Sequence, residues 1–131
     1  MLRLEVGRTM NTLLWAVQIL LAGVFLFTAA GKLFDYEQLV KVVESRSKGR
    51  PIGMSRWQAG VIAVAETAGA LGLLVPSRVA PPHLVILCAA AWLALIMVGA
   101  GVYHLRRQES AVPSVVLFLV ALFIIVGRWP R

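Results

Sequence analysis

Three ionisable side chains stand where an apolar chain has least reason to keep them. Glu66 is the only charge in the 21-residue run from Trp57 to Ser77. Lys32 closes the apolar run that begins at Thr9, and His104 lies at the end of the one that begins at Val79. A carboxyl group in such a place can hold a proton, pair with an ammonium, or accept a hydrogen bond from the polar head of a lipophilic ligand. A carboxylate near a bilayer centre costs about 3 kcal/mol on insertion scales, so Glu66 is expected to face a partner, water or a ligand rather than lipid. The site expected from these residues has Glu66 as its central acid or acceptor and Lys32 and His104 at its mouth. Phe25, Leu93 and Met97 are its expected apolar walls. Each polar residue also has a plainer role. Glu66 as a protonated acid would bond a neighbouring helix, Lys32 would snorkel to the interface, and His104 would pack beside Tyr103. Burial favours the neutral acid and an adjacent ammonium favours the carboxylate.

Other chemistries find no residues. His83 and His104 stand at opposite ends of one helical segment and do not pair on one haem. One glutamate and one histidine fall short of the three protein ligands of a catalytic zinc site. The sequence has no phosphate loop and no nucleophile motif, and no metal is expected. Its single cysteine, Cys88, has no partner for dithiol exchange and is expected to be a small buried apolar residue. No cofactor is evident from the residues.

The elements that would carry these residues follow from the apolar runs. The chain has 131 residues, 60% of them hydrophobic, too apolar for a soluble domain of this length. Cutting at the charges leaves Thr9–Gly31, Trp57–Ser77, Val79–Leu105 and Ser110–Gly127. Each falls near the 17–25 residues of a membrane span. The expected fold is an all-α membrane protein, a four-transmembrane-helix bundle forming one domain over 1–131. Its helices are expected at about 12–34, 57–75, 83–103 and 111–127. Tyr36–Glu44 has helical spacing and either continues the first helix or lies at the interface. Ser45–Ser55 is turn-rich.

Helical spacing sorts the polar residues onto inward faces. The first helix carries Gln18, Leu21, Phe25, Thr28 and Lys32 on one face, the second Ala59, Ala63, Glu66 and Ala70, and the third Ala90, Leu93, Met97, Ala100 and His104. Small residues around Glu66 let helices approach closely, so the second helix is expected to be central. Pro76 and Ser77 are expected to end it, and Pro81 and Pro82 to open the third. On ideal helices Lys32 and Glu66 differ in depth by roughly 10 Å, so a direct bridge needs tilt, a deeper lysine or a water. Gln18, near the opposite side, is expected to bond between helices.

The net charge of +7 sits in loops and tails, as beside anionic lipid, and points away from nucleic acid. Eight basic residues on the loop side against five on the terminal side favour cytoplasmic loops and external termini. Arg3 and Arg8 before an apolar run that ends in Thr28-Ala29-Ala30 imitate a signal peptide. The run is as long as a full span and is expected to be retained.

The chain resembles the DoxX-like family of small four-span bacterial membrane proteins. The resemblance rests on Phe27-Thr28-Ala29-Ala30-Gly31-Lys32-Leu33, on Ala65-Glu66-Thr67-Ala68-Gly69-Ala70-Leu71-Gly72-Leu73-Leu74-Val75-Pro76, on Met97-Val98-Gly99-Ala100 leading into His104-Leu105-Arg106-Arg107, and on Gly127-Arg128. It implies that Lys32, Glu66, His104 and Arg128 are characteristic positions, and that the protein lies in the bacterial inner membrane. Members are similar to subunits linked with thiosulfate:quinone oxidoreductase, to proteins of quinone or oxidative-stress metabolism, and to MauE-type maturation factors. The architecture is similar to eukaryotic four-span families that bind sterols or assist receptor assembly. The implied function is binding of a quinone or isoprenoid-like lipid around Glu66, with the lipid bilayer as partner and enzymatic turnover open. The alternatives are a non-catalytic accessory or assembly subunit with a membrane redox partner protein, and a proton-coupled transporter built as a homo-oligomer.

Overall fold

A computed structural model describes residues 2–46, 53–75 and 82–129, and among these every regular element is a helix. Five helices follow in order: α1 (Leu2–Phe34), α2 (Tyr36–Arg46), α3 (Arg56–Leu73), α4 (Pro82–Arg106) and α5 (Val112–Arg128). Pro76, Ser77 and Pro81 lie outside the described residues. Pro82 opens α4, where its missing N–H falls among donors that have no helical partner anyway.

α1, α3, α4 and α5 close a ring in which α1 and α4 each pack on both α3 and α5. The directions alternate. Gln18 meets Leu73 while Lys32 meets Glu66, so α1 and α3 are antiparallel. The core runs through the ring on Leu21, Phe25, Leu73, Leu93 and Ile124. The outward faces are apolar too, with Leu20, Phe27, Leu95 and Leu119 exposed, as suits helices surrounded by hydrocarbon rather than water. α1 and α4 are long and apolar enough to cross a membrane; α5 is apolar and shorter, at 17 residues.

Each element departs from its expected bounds for a local reason. α1 starts at Leu2 rather than near Thr12, because nothing before Thr12 stops a helix and Glu5 lies in its first turn, where a negative charge favours the helix dipole. The charges at Arg3, Glu5 and Arg8 limit a membrane span, not a helix. Asp35 interrupts the helix between α1 and α2, yet its N–H still bonds the Gly31 carbonyl and its own carbonyl accepts from Leu39. α2 is therefore a separate helix that continues the hydrogen-bonding line of α1. α3 starts where Ser55 and Gln58 cap each other's backbone reciprocally, a capping box that fixes the start of the helix and so the position of Glu66 along it. α4 runs past Tyr103 to Arg106 and ends in a left-handed Gln108 (φ 57°). The Glu109 N–H reaches the His104 carbonyl and the Gln108 N–H the Leu105 carbonyl, the paired bonds of a Schellman ending.

Close approach of α3 to α4 depends on missing side chains. A Cβ on Gly72 would lie 2.7 Å from the Cβ of Ala89, and one on Gly69 2.6 Å from a Leu93 methyl. Both neighbours sit in the core. α3 is flanked by α1 and α4, one member of the ring rather than its centre. Cys88 is exposed, which corrects the expected buried thiol: one face of α4 packs through Ala89 and Ala90, and the adjacent position turns outward. Gly72→Ala is expected to lower stability by about 1–3 kcal/mol, the usual cost of overpacking, because the Ala89 Cβ cannot swing aside. Thermal unfolding of the detergent-solubilised protein would measure it, and an unchanged midpoint would show that the crossing is looser than described.

Candidate functional site

Glu66 is buried, its side chain only 3% exposed, and it is fully engaged. Its Oε1 lies 2.6 Å from the Lys32 ammonium and its Oε2 3.2 Å from the Thr28 hydroxyl. The same hydroxyl lies 3.0 Å from the Phe25 carbonyl. One hydroxyl proton cannot serve both acceptors at once. A carboxylate takes the Lys32 and Thr28 donors, whereas a protonated Glu66 can donate from Oε2 to Thr28 while Thr28 donates to Phe25. The site has a satisfied hydrogen-bond arrangement for either protonation state.

The direct ion pair corrects the expected depth gap. Thr28 lies at the level of Glu66, and Lys32 stands one turn, about 6 Å, closer to the loops. Helical side chains lean toward their own N-terminus, so the lysine chain reaches back along α1 to the carboxylate. No bridging water is needed. Lys32 does not snorkel outward; its side chain is only 18% exposed.

Beside the pair is a cavity of about 510 Å³. Ile62 and Ala65 of α3, Ile96 and Gly99 of α4, and Leu39 and Val43 of α2 line it. Lys32, Glu66, Tyr103 and His104 supply its polar groups. α2 is held over this end by the Tyr36 hydroxyl, which donates to the Met54 carbonyl. α4 is pinned to α3 at the level of Glu66 by the Trp92 indole, which donates to the Ala65 carbonyl across 3.0 Å.

Of the expected site residues, Lys32, Glu66 and His104 come together on this cavity, and three do not. Phe25 and Leu93 are buried in the central core. Met97, also in that core, edges a separate pocket of about 220 Å³ between α4 and α5, beside Ser114 and Phe118. Phe25 shares a helix face with Lys32, and Leu93 and Met97 share one with His104, but all three side chains pack in the core, whereas the cavity lies between α3 and α4 beneath α2. His104 is tied down as well as packed. Its Nδ1 lies 2.8 Å from Glu109, which also accepts from Arg107 Nε at 2.8 Å, and its ring meets Tyr103 edge-on at 5.5 Å. Sequence pattern does not single out Glu109. Its only signal is a carboxylate five residues beyond His104 in a connection too short to carry it away.

A second polar layer lies at the opposite end. Gln18 bonds between helices as expected: its amide nitrogen donates to the Leu73 carbonyl across 2.8 Å, one of the carbonyls a helix end leaves without a partner. Its oxygen accepts from Arg128 Nε at 2.7 Å, and Asn11 accepts from Nη1 at 2.7 Å. The sequence signal for Asn11 is its place seven residues before Gln18 on the same face.

Among the described residues no group of three or more His, Cys, Asp or Glu side chains could hold a metal ion. Architecture and surface together define an all-helical protein with two candidate membrane spans and a polar pair buried in its apolar interior. The sequence profile of the DoxX-like family, a family of membrane proteins, matches residues 16–127, and the chain belongs to that family. No curated protein and no solved structure matches the chain.

Removing one partner of an ion pair leaves a charge without its counterpart, and replacing both costs less than the sum of the two single losses. Glu66→Gln and Lys32→Met are each expected to lower stability, and the double variant to recover part of the loss. A double-mutant cycle on thermal or denaturant unfolding should return a coupling of about 1–3 kcal/mol. A coupling near zero would reduce the pair to a contact without energetic weight.

Proposed function

We propose that this DoxX-like protein is a four-span bundle of the bacterial inner membrane that holds a lipophilic small molecule with a polar head, a quinone or isoprenoid-like lipid, in the cavity beside Glu66. The observation that carries this reading is the cavity of about 510 Å³, apolar over most of its wall, with the Lys32–Glu66 pair on one side. Small-molecule sites are concave, mostly apolar, roughly 300–1,000 Å³ in volume, and carry a few placed polar groups. Lys32 donates to a carbonyl oxygen, Glu66 accepts from a hydroxyl, and the Tyr103–His104 end meets the far side of the headgroup. Such a head matches both oxidation states of a quinone, which ties the site to membrane redox or oxidative-stress metabolism.

Support for four spans comes from the antiparallel ring and its apolar outer faces. At 1.5 Å per residue, α3 and α5 reach about 27 and 26 Å, close to a hydrocarbon core of about 30 Å. The loop side carries the greater number of basic residues, which favours cytoplasmic loops and external termini.

Native mass spectrometry of protein extracted gently from its own membranes tests the proposal. A retained apolar molecule is expected on the wild type. Gly99→Phe should lower its occupancy at least about tenfold by filling the cavity, since a Cβ at Gly99 meets nothing within 4 Å and the glycine lies on the cavity wall. Glu66→Gln should weaken retention in the same direction. A constant protein partner with no small molecule, unchanged by either substitution, would favour the accessory-subunit reading instead.

A further inference from the structure

The Arg128 end of the bundle is built around a charge that nothing in the described structure neutralises. A guanidinium has five N–H donors. Nε and Nη1 each give one bond, to the amide oxygens of Gln18 and Asn11, and both acceptors are uncharged. Nη2 is buried and, among the described residues, has no hydrogen-bond partner. Among the described residues the ion pairs are Lys32–Glu66, His104–Glu109 and Arg107–Glu109, all at the other end. The guanidinium lies over the Trp15 ring, 5.3 Å from its centroid.

The group is also held in place before any ligand arrives. Gln18 is fully buried, and its amide is locked on both sides. Reversing it would set its NH₂ against the Arg128 donor and its oxygen against the Leu73 carbonyl. Gln18 therefore fixes the guanidinium plane from within, while Asn11, which is exposed, marks the side open to the surroundings. Trp15 and the exposed Trp129 flank the site, as aromatic side chains do at the level of lipid headgroups. Along α1 the step from Trp15 to Lys32 is about 25 Å, which puts the two charged layers near opposite faces of one bilayer.

We infer that Arg128, oriented by Gln18, Asn11 and Trp15, is a binding site for a phosphate anion, either the phosphodiester of a lipid headgroup or free phosphate. A fixed planar guanidinium with unused donors matches phosphate oxygens in charge and in fork geometry. A phosphate supplies the negative charge that two amides cannot provide, and Nη1, beside the exposed Asn11, has a second N–H to give it. The site is distinct from the Glu66 cavity and does not depend on what that cavity holds.

The test uses the full chain in a non-ionic detergent with three probes: dioleoylphosphatidylglycerol, dioleoylglycerol, which has no phosphate, and inorganic phosphate. Binding is read by native mass spectrometry and by the shift in thermal midpoint. The informative variant is Asn11→Asp, nearly isosteric, which keeps the acceptor on Nη1 and neutralises the guanidinium internally. Arg128→Gln removes the charge. Phosphatidylglycerol should bind the wild type with an upward thermal shift, and each variant should weaken it by about tenfold, the scale of one charge-assisted hydrogen bond. A response to inorganic phosphate that both variants abolish would also support the site and assign it to free phosphate. Equal responses to the two lipids with none to phosphate, or phosphatidylglycerol binding that survives Asn11→Asp, would overturn the inference and leave Arg128 as an interhelical tie. If Arg128→Gln fails to fold, Asn11→Asp decides the outcome alone.

Discussion

The Lys32–Glu66 pair constrains the interior of this protein more than any single apolar contact. Two opposite charges 2.6 Å apart, with the carboxylate nearly sealed from the surroundings, are tolerable only if the partner and the remaining lone pairs are in place. That requirement sets the relation of α1 to α3. Thr28 must stand level with Glu66, Lys32 one turn nearer the loops, and α3 must begin where the Ser55 capping box starts it. The small residues of α3 follow from the same need. With Ala59, Ala63 and Ala70 buried, the helix comes close enough for short side chains to reach across.

The cavity beside the pair exists because the packing is uneven along the α3–α4 seam. At the end near Leu73, Gly69 and Gly72 press against Leu93 and Ala89 with no space for a Cβ. Toward the loops the helices part, and a Cβ on Gly99, which lines the cavity, would meet nothing within 4 Å. Glycine thus serves opposite ends in the same two helices, contact at one end and clearance at the other. α2 covers the open end without filling it, since Leu39 and Val43 line the cavity rather than occupy it.

How much of this could be read from the chain depends on what each residue's role rests on. Helical spacing and the cost of a buried charge were enough to bring Lys32, Glu66 and His104 to one side and to make Gln18 an interhelical bond. Spacing alone could not tell a face turned to the core from one turned to a cavity, because both are lined by the same apolar side chains. Phe25, Leu93 and Met97 therefore looked like walls and are core. The direct ion pair was hidden for a different reason. Axial rise places backbones, while a lysine reaches back along its helix by about a turn. Cys88 shows the limit of composition: in a helix that is apolar on every face, hydrophobicity does not reveal which side meets the neighbours. Glu109 and Asn11 act through geometry that forms only on folding, a left-handed turn in one case and the meeting of α1 and α5 ends in the other.

The interior has polar layers at two levels and none between them. Among the described residues the buried polar side chains are Gln18, Glu66 and Ser114. From Gln18 to Thr28 is about 15 Å along α1, half the thickness of a hydrocarbon core, and that interval is filled by Leu21, Ala22 and Phe25 against Leu93 and Ile124. A proton or ion moving through a single copy would cross this layer with no group to accept it, at the cost of a bare charge in hydrocarbon. The arrangement is suited to holding something at one end rather than passing it to the other. The Glu66 end is balanced in charge and concave, and it suits a neutral head. The Arg128 end has a positive charge with no counterion, and it suits an anion. The two ends differ in character, and the apolar layer of Leu21, Phe25, Leu93 and Ile124 separates them.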